Sequence, residues 1–328
     1  MTTPRPTAPS DARAHQACPA VAEVVRSGFV EGHHYGRVVA LDCDAAVLWA
    51  VGDVDDTVLP RSSNKPLQAV AMVRLGLDLP PDLLALAAAS HSGEGFHLHG
   101  VRRILDGAGL DESALQTPPD HPLDERARTE ALRAGVPPSP IQMNCSGKHA
   151  AMLATCVAND WDTTTYREPA HPLQQAIRGT IAELTGVEVA VAAVDGCGAP
   201  LLSTSLTGLA RAFHRLALAE AGSAEHRVAT ALREHPEHAS GTRRDEARLL
   251  RALPGTIGKA GAEACYAVAL PDGRAVALKV EDGGVRARPV VMAAALRRLG
   301  VDHPVLDELA EHPVLGGGRR VGAVRAAF

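Results

Sequence analysis

The spacing of apolar residues divides the chain into a β-rich start, a helical middle and a mixed final part. Between Val21 and Val51, short β-rich runs are separated by turn residues, which predicts an antiparallel meander. After Pro60, apolar residues recur at three- and four-residue intervals and the runs end at Gly or Pro, which predicts consecutive helices. The pattern therefore predicts an α/β fold.

The second half of the chain adds further predicted strands. Residues 187–198 predict a buried strand that runs into a glycine-rich turn, and helical spacing then continues to about Leu253. Residues 264–284 predict a hairpin, because Asp272-Gly273 at its tip supplies the positive φ that a tight turn needs. Residues 288–300 predict a helix that covers one side of the sheet.

The pattern favours one domain over two. No internal repeat is present, and the sharpest change in composition is a Pro-rich stretch near residues 135–140. We therefore expect a single domain over residues 19–328, with a mainly antiparallel central sheet flanked by helices. Residues 1–18 are rich in Pro, Thr and Ala and are expected to form a flexible tail.

Composition and charge narrow the function classes. The 328 residues are 46% hydrophobic and 22% charged, which is ordinary for a folded protein with a substantial core. A formal net charge of -5 without long Lys/Arg runs argues against a nucleic acid partner. The chain lacks an apolar window long enough to span a membrane and a secretory signal, so we expect a cytoplasmic protein with no membrane partner. In that reducing compartment the six cysteines are expected to be thiols.

A first candidate motif follows the predicted meander, where Ser62 and Lys65 are three residues apart. On the first turn of a helix this spacing puts the hydroxyl and the amine on one face. A neutral amine can take the proton of a serine, which is a poor nucleophile by itself. The same spacing serves penicillin-binding proteins and serine β-lactamases. Most matches to so short a spacing, however, are only a helix cap and a solvated lysine.

A second polar stretch, Ser90-His91-Ser92-Gly93-Glu94, follows a predicted apolar helix. Two hydroxyls, an imidazole and a carboxylate at such a junction fit the floor of a pocket. The alternative is an N-cap for the next helix, in which Ser92 and Glu94 satisfy free backbone donors.

Two further segments place cysteines at the ends of predicted elements. Cys145, Lys148 and His149 share one loop-to-helix junction, where a helix N-terminus lowers the pKa of a thiol. Asp195 and Cys197 lie in a glycine-rich turn that allows close approach to a ligand. These cysteines either meet at a site or are small buried residues, as most free cysteines are. Spacing alone does not indicate zinc, because neither CxxC nor HxxxH occurs.

The predicted hairpin carries Cys265 on one arm and Lys279 on the other. A lysine inside an apolar strand is less usual than one on a surface helix. Lys279 therefore either serves the site or lies on an edge strand and points to water.

Taken together, these segments resemble a known family. RSSNKPLQ, SHSGE, NCSGKHAAML, DGCGAP, KAGAEAC and ALKVEDG occur in this order across most of the chain. The set is similar to the Rhizobium-etli-type L-asparaginases, the asparaginase II family. The resemblance implies a fold like that of serine β-lactamases and glutaminases, a homodimer, and hydrolysis of L-asparagine to L-aspartate and ammonia.

The resemblance also implies two catalytic serine-lysine pairs. It matches Ser62 with Lys65 and Ser92 with Lys279, and either serine would attack while the lysines relay protons. The presence of Ser63 beside Ser62 leaves the identity of the first serine open.

The family's metal and substrate positions are matched as well. One zinc ion per chain is implied, held by Cys145, Lys148 and Cys197. The positions matched near the substrate are Arg61, His149, Asp195 and Cys265. Of these, Arg61 is expected to hold the substrate carboxylate and Asp195 the ammonium group. One departure is Ala264, where the family usually has glycine.

Three other hypotheses stay open. A glutaminase-like or β-lactamase-like serine amidohydrolase would share the fold. Alternatively, Cys145 is the nucleophile with His149 as its base, in which case thiol alkylation abolishes activity. A non-catalytic protein of this fold would bind an amino acid or a peptidoglycan fragment. The two serine-lysine pairs argue against such a sensor, because a binding site has no need of neutral lysines.

Overall fold

A computed structural model describes residues 18–328, so all but the last position of the expected tail at residues 1–18 lies outside the described residues. The described strands are β1 (Ala20–Arg26), β2 (Phe29–Leu41), β3 (Val47–Val51), β4 (Ala192–Val194), β5 (Pro200–Leu202), β6 (Ile257–Ala260), β7 (Cys265–Ala269), β8 (Ala275–Val280), β9 (Glu311–Gly316) and β10 (Arg319–Ala326). The described helices are α1 (Lys65–Arg74), α2 (Pro81–Ala87), α3 (Gly95–Gly107), α4 (Glu125–Arg133), α5 (Ser146–Ala158), α6 (Pro172–Thr185), α7 (Leu206–Ala217), α8 (Ala224–Glu234), α9 (Pro236–Ala239), α10 (Asp245–Ala252), α11 (Ala287–Arg298) and α12 (Pro304–Leu309).

One large sheet organises these elements. Its strand order is β6-β7-β8-β2-β1-β10-β9, and β3 also pairs with β2. The strand pairings of this sheet are antiparallel, which confirms the predicted α/β class with a mainly antiparallel central sheet. The predicted meander is also confirmed, since β1 pairs with β2 and β2 with β3. Within residues 18–328, every helix is too short or too polar to span a membrane.

Alternation along the strands separates two apolar layers. In β2, Val39 and Leu41 belong to a core shared with α1, α2, α5, α6 and α7. Val38 and Ala40 belong to a second core, which lies beneath α11 and α12. Successive side chains of a strand point to opposite faces, so helices cover both faces of the sheet. The helix predicted over residues 288–300 is thus confirmed as α11, packed on one side of the sheet.

The C-terminal hairpin of β9 and β10 completes the sheet. The apolar spacing does not predict it, because β9 is mostly exposed and buries only Val314 within the strand. β10 pairs with β1, so the first and last described strands lie side by side.

The hairpin predicted over residues 264–284 is confirmed as β7 and β8. Gly273 at its tip has a φ of 90°, as the turn requires. β8 lies between β7 and β2, so the hypothesis that Lys279 lies on an edge strand is wrong. Its side chain is half-buried in the middle of the sheet.

The buried strand predicted over residues 187–198 is wrong. Only β4 forms there, and it pairs with β5 in a separate two-stranded sheet. Val194 is 77% exposed. A short apolar run looks the same whether it enters a covered sheet or a surface ribbon, because only neighbouring elements decide its burial. The ribbon leads into the turn that contains Asp195 and Cys197.

Candidate active site

A cavity of about 660 Å³ lies where the segment before α1, the start of α5 and the turn after β4 meet β6. The predicted site residues that line it are Arg61, Ser62, Cys145, Asp195 and Cys197. The remaining six are buried or half-buried, and these are Lys65, Ser92, Lys148, His149, Cys265 and Lys279. The fold thus gathers residues from distant segments of the chain into one cavity.

Ser62 and Lys65 lie on either side of the point where a 3-10 helix passes into an α-helix. Ser62 lies in a 3-10 helix, Arg61–Asn64, and Lys65 begins α1. The Lys65 amine is fully buried, and its Nζ donates to Ser90 Oγ at 2.9 Å and to Cys145 Sγ at 3.0 Å. Among the described residues no hydrogen bond joins Lys65 Nζ to Ser62 Oγ. The predicted contact between serine and lysine is therefore not a direct one here.

Ser90 is a site residue that the sequence analysis missed. Its hydroxyl accepts from Lys65 Nζ, and it lines the cavity together with Ser62. The sequence places Ser90 in the second polar stretch, but the family match favours Ser92. No spacing rule separates two serines that lie two residues apart in a loop, so only the tertiary structure distinguishes them.

Ser92 and Lys279 lie away from that contact. Ser92 packs on Gly241, where an added Cβ would lie 2.0 Å from Ser92 Oγ. Lys279 Nζ donates to the carbonyl oxygen of Val280 at 2.7 Å. Among residues 18–328 no hydrogen bond joins Ser92 to Lys279, and their pairing stays a prediction.

Cys265 faces Lys279 across β7 and β8. Burial raises the pKa of the Cys265 thiol to about 11, while the Ser63 hydroxyl and then the Lys279 amine oppose this shift. The preceding residue, Ala264, has a φ of 48°, a left-handed conformation that favours glycine. The glycine that the family usually has at this position would adopt this conformation freely, whereas alanine costs about 1 kcal/mol there.

Glu94 and His97 form the start of α3. Glu94 is the N-cap, as the alternative interpretation of the second polar stretch predicts, and it forms a capping box with His97. His97 Nδ1 accepts from the Glu94 N–H at 3.2 Å, and Nε2 lies 2.9 Å from the carbonyl oxygen of Glu237. Burial lowers the pKa of His97 to about 4. A neutral imidazole therefore serves the helix start rather than the cavity.

Cys145, Lys148 and Cys197 form one buried cluster. Lys148 Nζ donates to Cys197 Sγ at 3.1 Å. The pKa of the Cys197 thiol lies far below its usual range. The main cause is a hydrogen bond from the Cys145 thiol, and the positive charge of Lys148 lowers the pKa further. Burial works against the charged amine, but the neighbouring sulfurs of Cys197 and Cys145 raise the pKa of Lys148. The contacts in this cluster therefore favour the charged forms of Cys197 and Lys148.

The chemistry of this cluster fits a zinc ion. Two sulfurs and an amine lie together, and zinc sites near chemistry often have three protein ligands and an open position. Among the described residues, no group of three or more His, Cys, Asp and Glu side chains is arranged to hold a metal ion. The predicted zinc site therefore depends on the Lys148 amine as its third ligand.

His149 lies next to this cluster and also contacts Tyr166. Its Nδ1 lies 2.6 Å from the hydroxyl oxygen of Tyr166, and burial lowers the pKa of His149 to about 4. The pKa of the Cys145 thiol is raised, mainly by a hydrogen bond to Cys197 and secondly by burial. Within the described chain, no hydrogen bond joins His149 to Cys145, so the geometry does not support a Cys145 nucleophile with His149 as base.

Arg61 bridges two carboxylates in the cavity wall. Its Nε donates to Asp195 Oδ1 at 2.9 Å, and its Nη1 donates to Glu263 Oε1 at 3.4 Å. The two residues matched to the charged ends of the substrate thus form an ion pair with each other. Arg61 has a φ of 52°, so its backbone is strained at the cavity.

A serine at a cavity wall, with a buried lysine amine bonded to a neighbouring hydroxyl, is an arrangement suited to serine amidohydrolases. The family model described as L-asparaginase II matches residues 22–326. The chain therefore belongs to the L-asparaginase II family and is an amidohydrolase. This confirms the family resemblance of the sequence motifs.

Several solved structures are similar to the chain. A β-lactamase from Mycobacterium bovis has a TM-score of 0.45 and 15% identity, over 81% of this chain and 95% of that chain. EstCE1, a hydrolase with promiscuous acyltransferase activity, has a TM-score of 0.41 and 12% identity, over 84% and 93% of the two chains. A Bacillus glutaminase has a TM-score of 0.32 and 10% identity, over 81% and 91%. No curated protein matches the chain. Because these scores are low, the assignment rests on the family match.

Proposed function

We propose that the protein hydrolyses L-asparagine to L-aspartate and ammonia through an acyl-enzyme. The observation that supports this most strongly is the contact between Lys65 and Ser90 beside Ser62. A buried amine there reaches a hydroxyl of the cavity that Ser62 also lines. Together with membership of the L-asparaginase II family, this arrangement favours attack by serine on a small amide.

In the proposed reaction, Ser62 Oγ attacks the carbon of the side-chain amide. The proton of Ser62 passes through the Ser90 hydroxyl to the amine of Lys65, which must be neutral to accept it. Backbone N–H groups at the start of the helix Arg61–Asn64 are proposed to stabilise the oxyanion. The proton then goes to the departing nitrogen, ammonia leaves, and water hydrolyses the ester to release L-aspartate.

The second serine-lysine pair, Ser92 with Lys279, is proposed to provide a further route for proton transfer. Cys265 lies opposite Lys279 in the sheet and is proposed to hold it near the site. A homodimer, which the family resemblance implies, and a cytoplasmic location, which the sequence analysis predicts, also stay predictions.

Ammonia release by the purified protein tests the proposed substrate. We expect L-asparagine to be hydrolysed and L-glutamine to have a kcat/KM about a hundredfold lower, because one extra methylene displaces the amide from a fixed nucleophile. Both amides are measured in the same coupled ammonia assay. Comparable rates on the two substrates would favour the glutaminase-like alternative, and no release from either would remove the proposal.

We further propose that Cys145, Lys148 and Cys197 bind one zinc ion. The adjacent sulfurs and the amine support this, since zinc prefers thiolate and nitrogen ligands. A bound zinc ion would act as a Lewis acid that orients a polar group of the substrate. Its affinity falls as pH falls, because the thiols and the amine must lose their protons to bind.

Zinc content tests this site without reference to activity. We expect stoichiometric zinc in the parent protein by elemental analysis, and loss of zinc in Cys145→Ala and in Cys197→Ala. Cys156→Ala is the matched control, because Cys156 is also buried on α5 and does not line the cavity. Zinc retained in both ligand variants, or missing from the parent, would eliminate the proposed site.

A further inference from the structure

Part of the cavity wall is a cluster of charged side chains that has no part in the proposed hydrolysis. It joins the start of α10, β6 and the start of α11, and its members are Arg244, Asp245, Glu246, Lys259 and Arg288. Arg244 and Arg288 line the cavity. Three members are cations and two are carboxylates, so the cluster carries one excess positive charge.

The carboxylates of this cluster hold its cations in place. Arg288 Nη2 donates to Asp245 Oδ1 at 2.6 Å, and Lys259 Nζ donates to Glu246 Oε1 at 2.8 Å. Arg244 Nη2 lies 4.0 Å from Glu246 Oε2. A guanidinium held in this way is preorganised, and its planar donor groups match a carboxylate.

Arg288 also has unused hydrogen-bonding capacity. Its side chain is 7% exposed, and its Nε is buried without a hydrogen-bond partner among the described residues. Tyr266, whose ring centre lies 5.7 Å from the guanidinium carbon, has a buried hydroxyl that also lacks a partner within residues 18–328. Two carboxylate oxygens of the same cluster, Asp245 Oδ2 and Glu246 Oε2, are also buried without a partner within residues 18–328, so the unmade hydrogen bonds alone do not select an acceptor. Arg288 lines the cavity, where the carboxylate of a ligand supplies acceptors to its guanidinium.

A second cluster of charged side chains in the cavity wall has an excess of negative charge. Arg61 lies between Asp195 and Glu263, and these three side chains also line the cavity. One cation and two carboxylates leave one excess negative charge. The cavity therefore has a positive part and a negative part, which together match the two charges of a free amino acid.

We propose that Arg288, with Arg244 beside it, binds the α-carboxylate of the substrate, while Asp195 and Glu263 bind its α-ammonium group. This inference rests on the proposed hydrolysis of L-asparagine and deepens it. It limits the substrate class to α-amino acids that are free at both ends and carry a side-chain amide. We place the carboxylate at Arg288 rather than at Arg61, because Arg61 donates to the same two carboxylates that bind the ammonium group in this proposal.

A truncated substrate separates this role from a structural one. β-Alaninamide keeps the amide and the ammonium group of L-asparagine but lacks the α-carboxylate. Arg288→Gln is expected to lower kcat/KM for L-asparagine about 100-fold, while kcat/KM for β-alaninamide changes less than about twofold. The matched control is Arg248→Gln on the exposed side of α10, which should alter neither value.

Loss of Arg288 leaves Asp245 without its cation, so Asp245→Asn/Arg288→Gln is measured in parallel. Calorimetry with L-aspartate provides a readout that does not need turnover. We expect both folded variants to bind L-aspartate more weakly than the parent does. Equal losses on the two amides, or unchanged binding of L-aspartate, would overturn the anchor. Arg288-dependent binding of L-aspartate in a parent that does not hydrolyse L-asparagine would remove the proposed function and keep the anchor.

Discussion

Ser62→Ala and Lys65→Met should each lower kcat/KM for L-asparagine by at least roughly a thousandfold, because a nucleophile and its base act as one unit. Ser62 lines the cavity, and Lys65 Nζ reaches Ser90 Oγ at 2.9 Å. Methionine at position 65 fills most of the volume of the buried lysine. A loss of activity in this variant is therefore due to the missing amine and not to a cavity in the core. Release of ammonia is the measurement, with circular dichroism to show that each variant is folded.

The neighbouring variant Ser63→Ala is the matched control for Ser62→Ala. Both side chains lie in the same 3-10 helix, but Ser63 is fully buried and does not line the cavity. We expect Ser63→Ala to retain most of the activity. Substantial turnover by Ser62→Ala, or loss confined to Ser63→Ala, would show that the nucleophile is misassigned.

Ser90→Ala should lower kcat/KM more than Ser92→Ala does, by about a hundredfold or more relative to the parent. The physical reason is that Ser90 Oγ accepts from Lys65 Nζ and borders the cavity, whereas Ser92 packs against Gly241. The two variants remove the same hydroxyl two residues apart in one loop, so each controls for the other. A larger loss in Ser92→Ala would contradict the relay through Ser90 and support the serine of the sequence match.

Lys279→Met completes this comparison. If Ser92 and Lys279 act together, their single variants and the double variant should have equal losses, since effects within one catalytic unit are not additive. Independent, multiplying losses would indicate that Ser92 and Lys279 do not form one catalytic unit. Steady-state kinetics of the three variants on L-asparagine distinguish these outcomes.

Much of the fold is readable from local patterns. The meander of β1 to β3 and the hairpin of β7 and β8 follow from two-residue alternation and from Asp272-Gly273, whose turn geometry is a property of a few neighbouring residues. The α/β class and the family also follow from the chain itself, because ordered motifs over most of its length are specific. The pattern predicts a buried strand where the structure has the largely exposed β4, because burial depends on what packs from elsewhere.

The candidate active site, like the fold, is only partly predictable from the sequence. The sequence by itself determined which chemical groups are available: serines, lysines and cysteines in short motifs that identify the family. Only the tertiary structure decided which of them touch. Lys65 meets Ser90 and Cys145, which lie 25 and 80 positions away along the chain. Arg61 is occupied by Asp195, 134 positions away. Such contacts depend on how the segment before α1, the start of α5 and the turn after β4 pack together, and no local periodicity encodes that packing.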